Sequence, residues 1–72
     1  MEEITVSTEF IKLDAFLKFC GEAGTGGEAK LLVAGGEVKV NGEVCQTRGK
    51  KLYPGDRVSA PGGDYVVRGE GK

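Results

Sequence analysis

Histidine is absent from this chain, and cysteine occurs only twice, as Cys20 and Cys45. Two thiols with no imidazole beside them fall short of a closed four-ligand zinc site. The missing histidine also leaves Ser7, Ser59 and both thiols without the usual base that activates a nucleophile. Asp56, Asp64 and the scattered glutamates show no paired-carboxylate spacing, and both aspartates fall in turn segments, where aspartate bonds locally. These absences lead to the expectation of no enzyme activity, no cofactor and no metal. The two cysteines are expected as reduced, partly buried thiols, because free cysteine behaves as a small hydrophobe. No apolar run approaches the ~20 residues that cross a bilayer, and the first residues do not read as a secretory signal. A cytoplasmic protein with no membrane partner is the expectation. A large net charge is missing too: 10 bases stand against 11 acids, a formal balance of −1. That balance argues against an indiscriminate polyanion binder.

What is present is glycine, with 13 in 72 residues. Apolar runs alternate with these glycines, so they imply many tight turns between short elements rather than a disordered linker. The length allows one domain, taken as residues 1–72 with its core at about 3–68 and a frayed tail over 69–72. Charge is unevenly spread. The first eleven residues hold three acids and no base, whereas residues 12–51 hold seven bases and five acids. Arg48, Lys50 and Lys51 form a compact basic cluster.

The order of elements follows from periodicity. Ile4 and Val6 alternate with polar neighbours and predict a strand over residues 3–7. Leu13, Phe16, Leu17 and Cys20 lie at helical spacing and form one apolar face, with Asp14 and Lys18 off it and Gly21 placed to stop the helix. Thr25-Gly26-Gly27-Glu28 fits a capping box, with Glu28 reaching back to the cap residue, and a second helix follows through Ala29, Leu32 and Val33 to Gly35-Gly36. Val38 and Val40 lead into Asn41-Gly42, a strong hairpin signal. A two-residue loop there puts Val38 and Val40 on the face of Cys45; a bulge or longer loop brings Val44 inward instead, and the spacing leaves that register open. Pro54-Gly55-Asp56 and Pro61-Gly62-Gly63-Asp64 bracket a strand at residues 57–60, and Tyr65 to Arg68 is the last strand. The fold class is α+β: two short helices packed on a small antiparallel sheet.

Gly24-Thr25-Gly26-Gly27-Glu28-Ala29 matches the letters of the dinucleotide fingerprint. That fingerprint needs a preceding strand within a parallel unit, whereas here a helix precedes it, so an inter-helix loop with a capping box is the better reading. Exposed N–H groups at such a helix start can hold a phosphate, and glycine lets a nucleic-acid backbone approach closely. Arg48-Gly49-Lys50-Lys51 is the sharpest feature. By itself it reads as a solvated charged loop. Gathered on one side with Lys18, Lys30 and Lys39, it becomes a track able to neutralise several phosphates.

Several segments resemble one family. Lys12-Leu13-Asp14 is similar to the basic-Leu-Asp start of the ribosomal-protein-S-four-like domain, also called the alpha-L RNA-binding motif. Glu28-Ala29-Lys30 resembles its second-helix segment, Gly36-Glu37-Val38-Lys39-Val40-Asn41-Gly42 its passage into the hairpin, and Leu52-Tyr53-Pro54-Gly55-Asp56 its Gly-Asp turn. The nearest likeness is to the short stand-alone bacterial members, which carry counterparts of Gly26-Gly27-Glu28-Ala29-Lys30 and Arg48-Gly49-Lys50-Lys51-Leu52. The resemblance implies structured RNA, ribosomal or transfer RNA, lying along the helix pair and first hairpin. Lys12, Lys18, Lys30, Lys39, Arg48, Lys50 and Lys51 would then meet phosphates, and Thr25, Gly26 and Gly27 would offer backbone N–H groups. Duplex RNA is read largely by shape, so little base specificity is expected. In one departure, Thr25-Gly26 stands where many relatives carry serine-arginine.

Two other readings compete. A sulfur-carrier or ubiquitin-like β-grasp protein has a similar size but needs a C-terminal Gly-Gly, whereas this chain ends Gly71-Lys72. A protein-interaction module would use an apolar patch around Phe10 and Phe19. A monomer is expected, with a protein partner left open.

Overall fold

The computed structural model describes residues 1–70. In chain order the elements are β1 (Glu2–Val6), β2 (Ile11–Lys12), α1 (Leu13–Phe19), α2 (Gly26–Ala34), β3 (Lys39–Val40), β4 (Glu43–Val44), β5 (Lys51–Leu52), β6 (Arg57–Ala60) and β7 (Gly63–Gly69). Five strands make one sheet in the order β1-β7-β6-β3-β4, and β2 with β5 makes a separate two-stranded ribbon. The α+β layout is as expected. One sheet edge is not antiparallel, however: β1 runs parallel to β7, with Ile4 beside Val67. This pairing joins the two ends of the domain, so no turn between the strands announces it.

Each helix end shows why it stops where it does. Gly21 takes a φ of +88° just beyond α1. After α2, Gly36 takes +74° while its N–H bonds the carbonyl of Val33 and that of Glu37 bonds Leu32, a Schellman closure that satisfies two orphan carbonyls. At the start of α2, the Thr25 hydroxyl accepts from the Glu28 N–H at 3.1 Å. The return half of the expected capping box is displaced by one residue. The Glu28 carboxylate accepts from the Gly24 N–H at 2.6 Å, not from that of Thr25.

The hairpin takes its plain two-residue form. Val40 pairs with Glu43 and Lys39 with Val44, and Asn41 and Gly42 both have positive φ, 53° and 88°, as a twist-matched turn requires. Val38 and Val40 therefore point into the core, Cys45 is half-buried with them, and Val44 stands 54% exposed. The tail differs from expectation: β7 continues to Gly69, and the Glu70 N–H bonds the Val6 carbonyl at 3.0 Å. Residues 71 and 72 of the expected frayed tail lie outside the described residues.

The core lies between the helix pair and the inner face of the sheet. Leu13, Phe16, Leu17, Ala29 and Val33 from the helices meet Ile4, Val38, Val40, Val58 and Val67 from the sheet, with Leu52 closing the ribbon side. Glu22, in the inter-helix loop, fastens this assembly at the other end. Its carboxylate accepts from the Tyr65 hydroxyl and from the Gly62 N–H, the latter at 3.1 Å. That hydrogen bond, reinforced by burial, pushes the Tyr65 phenol well above its ordinary value. Tyr65→Phe should therefore lose about 1–2 kcal/mol at neutral pH. Because the folded-state value is raised, the contribution is complete below about pH 10, the ordinary tyrosine value, and is lost as pH climbs through the folded one. Urea melts of both proteins at pH 8 and pH 11 should show a gap that narrows at the higher pH. Identical melts at pH 8 would mean that the bond adds nothing.

Candidate nucleic-acid interface

The basic segments are assembled by backbone bonds. In the ribbon, Lys12 of β2 lies directly opposite Lys51 of β5. The residue before α1, Lys12, gives the helix no side-chain cap. Two of the helix's orphan donors are met by the other segment, Leu13 N–H by the Lys50 carbonyl at 2.9 Å and Asp14 N–H by the Arg48 carbonyl at 3.0 Å, while the Ala15 N–H bonds the Asp14 carboxylate at 2.8 Å. The Arg48 to Lys51 stretch is thus not a free loop. Its backbone caps a helix, while all its side chains are exposed. The backbones that carry Lys12, Arg48, Lys50 and Lys51 are brought together in this way, with Lys12 and Lys51 side by side and Lys50 facing the hollow beside Glu43 and Cys45. Lys18 lies one helical turn beyond Asp14 on the exposed side of α1, the same stripe of that helix.

The charge there is uncommitted. Among the described residues the one ion pair is Arg68 with Glu3, at 3.5 Å and far along the sheet. The only attachment of a lysine head in the ribbon is the Lys51 ammonium, 4.8 Å above the Phe10 ring centre. Strand alternation puts Phe10, Lys12, Lys51 and Tyr53 on the outer side of the ribbon, away from buried Leu52. The Phe10 and Tyr53 rings sit 6.0 Å apart at 49°.

The start of α2 is a second corner. Lys30 is exposed four residues after Gly26, on the same side of the helix. A side chain built at Gly26 would meet nothing within 4 Å, and one at Gly27 only the Thr25 hydroxyl at 3.8 Å, so the backbone is open to approach. The Glu28 carboxylate, however, already occupies the anion position by binding Gly24, and the Thr25 oxygen is engaged with Glu28. Electrostatics at this corner are therefore weaker than glycine and threonine alone suggest.

Lys39 does not join either group. Val38 and Val40 point into the core, so Lys39 points from the opposite sheet face, between Val44 and Ser59. Of the six bases that could have formed one track, Lys18, Lys30, Lys39, Arg48, Lys50 and Lys51, Lys39 falls on the opposite face of the sheet. The reason is the two-residue period of the strand, which sends a lysine between two core valines away from the helices.

The residues of the hairpin tip and the Gly-Asp turn are architectural. Asp56 accepts from the Tyr53 N–H at 2.8 Å and from the Asn41 amide at 3.2 Å, and the Asn41 amide oxygen accepts from the Arg57 N–H at 3.0 Å. The hairpin tip and the Gly-Asp turn are thus laced to each other. Both thiols donate to nearby carbonyls, Cys20 to Leu17 at 3.7 Å and Cys45 to Thr47 at 3.5 Å, and burial pushes the Cys20 thiol up. Among the described residues no group of three histidine, cysteine or carboxylate side chains could hold a metal, and no described helix is long and apolar enough to cross a membrane. Phe10 is covered by Tyr53 and Lys51, whereas Phe19 stands 61% exposed beside Thr8 and Ile11.

The aromatic pair escaped the sequence reading as a unit. Its signal was Phe10-x-Lys12 and Lys51-x-Tyr53, a period of two in segments too short to register as strands.

The chain is 44% identical over 65 residues to the probable ribosome maturation protein RlbA of Bacillus subtilis (strain 168), a match that spans 89% of this chain and 92% of that protein. A family model described as the S4 domain matches residues 4–68. That span takes in the helix pair, the ribbon that caps it and the whole sheet except the first two residues of β1 and the last of β7, which sets the β-grasp reading aside: the chain belongs to the S4 domain family.

Proposed function

We propose that this protein binds structured RNA of the ribosome, holding it by shape and phosphate without chemistry of its own. The observation that carries the reading is the unpaired cluster of Lys12, Arg48, Lys50 and Lys51, drawn together by the backbone bonds that cap α1. A group of exposed cations on a hydrogen-bonded backbone matches a polyanion, and releasing counterions from that polyanion drives the association. Ribosomal RNA is favoured over transfer RNA by the likeness to a probable ribosome maturation protein. The ligand class also makes this a cytoplasmic protein.

Lys18 extends the cluster along α1. Lys30 and the open backbone of Gly26 and Gly27 offer a second, weaker contact, with Thr25 acting as their cap. Lys39 is left outside the interface. The acids of the remaining surface repel RNA, so the near-neutral chain binds in one orientation rather than coating the nucleic acid.

The test is a salt titration of binding to helical fragments of ribosomal RNA. Five engaged cations, Lys12, Lys18, Arg48, Lys50 and Lys51, should give a log–log slope of about −3.5 to −4.5. Lys39→Gln should leave affinity and slope unchanged. A slope near zero, or no binding at low salt, would defeat the proposal. An equal loss from Lys39→Gln would move the interface to the sheet.

A further inference from the structure

We infer that the exposed ring of Tyr53, braced by Phe10, forms a stacking site for an unpaired nucleobase next to the bound duplex. This rests on the RNA-binding reading above and gives the same surface a preference for a particular RNA feature. The two rings occupy the outer side of the β2–β5 ribbon, one position along from the opposed pair of Lys12 and Lys51. Two residues of strand separate an aromatic from the lysine on its own chain, about 6.6 Å. Aromatic and basic groups therefore interleave on one small surface. A nucleotide presents the matching set, a flat π-face joined to an anionic phosphate.

The platform is held in advance of any ligand. The Lys51 ammonium lies over the Phe10 ring at 4.8 Å, which orients that ring by cation–π attraction. Tyr53 is fixed through its backbone, with its N–H given to the Asp56 carboxylate at 2.8 Å and its carbonyl taking the Asp56 N–H at 3.0 Å. Tyr53 is nevertheless 45% exposed, against 7% for the core tyrosine, Tyr65. A rigid exposed aromatic loses little freedom when a flat group settles on it. The flanking ammonium groups repel a cationic guest and attract one that carries a phosphate, so a base of RNA suits the site better than an arginine of a protein.

The experiment compares a blunt RNA hairpin with the same hairpin carrying one unpaired 3′ purine, and with a version in which that purine is the fluorescent analogue 2-aminopurine. The wild-type protein should bind the overhanging RNA about 5- to 100-fold more tightly than the blunt one, and the fluorescence of the analogue should be quenched on binding. Tyr53→Leu should erase both the preference and the quenching while leaving blunt-hairpin affinity unchanged. Tyr53→Phe, which keeps the ring, should retain both. Equal wild-type affinity for the two hairpins, or a preference that survives in Tyr53→Leu, overturns the inference. If the blunt hairpin still binds with a steep salt slope in that case, RNA binding stands and stacking alone is wrong. If neither hairpin binds, both ideas fall together.

Discussion

Phe16→Ala should leave the domain unfolded under conditions where the natural sequence is folded. Phe16 is fully buried at the centre of α1 and meets the Tyr65 ring edge-on, at 6.1 Å and 82°. Truncating a buried phenylalanine costs about 3–5 kcal/mol, through lost transfer energy and the cavity left behind. A core in a chain of this size supplies only roughly 3–5 kcal/mol of net stability. The substitution therefore removes about all of it. Phe19 provides the control. It lies three residues away on the same helix but is 61% exposed, so Phe19→Ala should shift stability by no more than about 0.5 kcal/mol. Circular dichroism and urea titration of the two variants would measure the contrast. Similar melting of both would mean that α1 presents a different face to the sheet.

The triple substitution Arg48→Gln/Lys50→Gln/Lys51→Gln should reduce affinity for ribosomal RNA helices by about 10- to 100-fold near physiological salt. It should also make the log–log salt slope shallower by roughly 2–3. Folding should survive, because the three side chains are exposed and glutamine keeps the carbonyls that accept from Leu13 and Asp14. Loss of the Lys51 interaction with Phe10 costs only about 0.5–1 kcal/mol. The experiment thus separates side-chain charge from backbone capping within one segment. Unchanged affinity would return these residues to the status of solvated charge. A collapsed melting curve would show that the side chains, and not only the backbone, hold α1 in place.

Much of what the chain encodes within a few neighbouring residues was legible, although the Glu28 carboxylate reaches Gly24 rather than the cap residue and the hairpin register stayed open. The Thr25 hydroxyl caps α2, Gly21 and Gly36 close the helices in left-handed conformation, and Asn41-Gly42 makes the tight hairpin. These features depend on local sterics and hydrogen bonding, which residue type dictates directly. The family resemblance drawn from Lys12-Leu13-Asp14, the hairpin letters and the Gly-Asp turn agrees with the matched span of residues 4–68. Asp56 reads correctly as a turn residue, although its bond to Asn41, across 15 positions of chain, lies beyond any local pattern.

The sequence by itself determined the α+β class, both helices and the apolar residues that make the core, because periodicity of 3.6 or two states which side of an element avoids water. It also determined that positive charge is concentrated between residues 12 and 51. How that charge is grouped emerges only from the folded chain. Lys12 meets Lys51 across a ribbon of two-residue strands, too short to show a period, and Arg48 and Lys50 join them because the start of α1 needs backbone acceptors. Lys39 leaves the group because its neighbours Val38 and Val40 claim the inner face of the sheet. The parallel bond between β1 and β7, and the carboxylate of Glu22 reaching Tyr65, were decided there as well. In each case the partners are distant in the chain, and they meet only because burying one shared core draws the helices, the ribbon and both chain ends together.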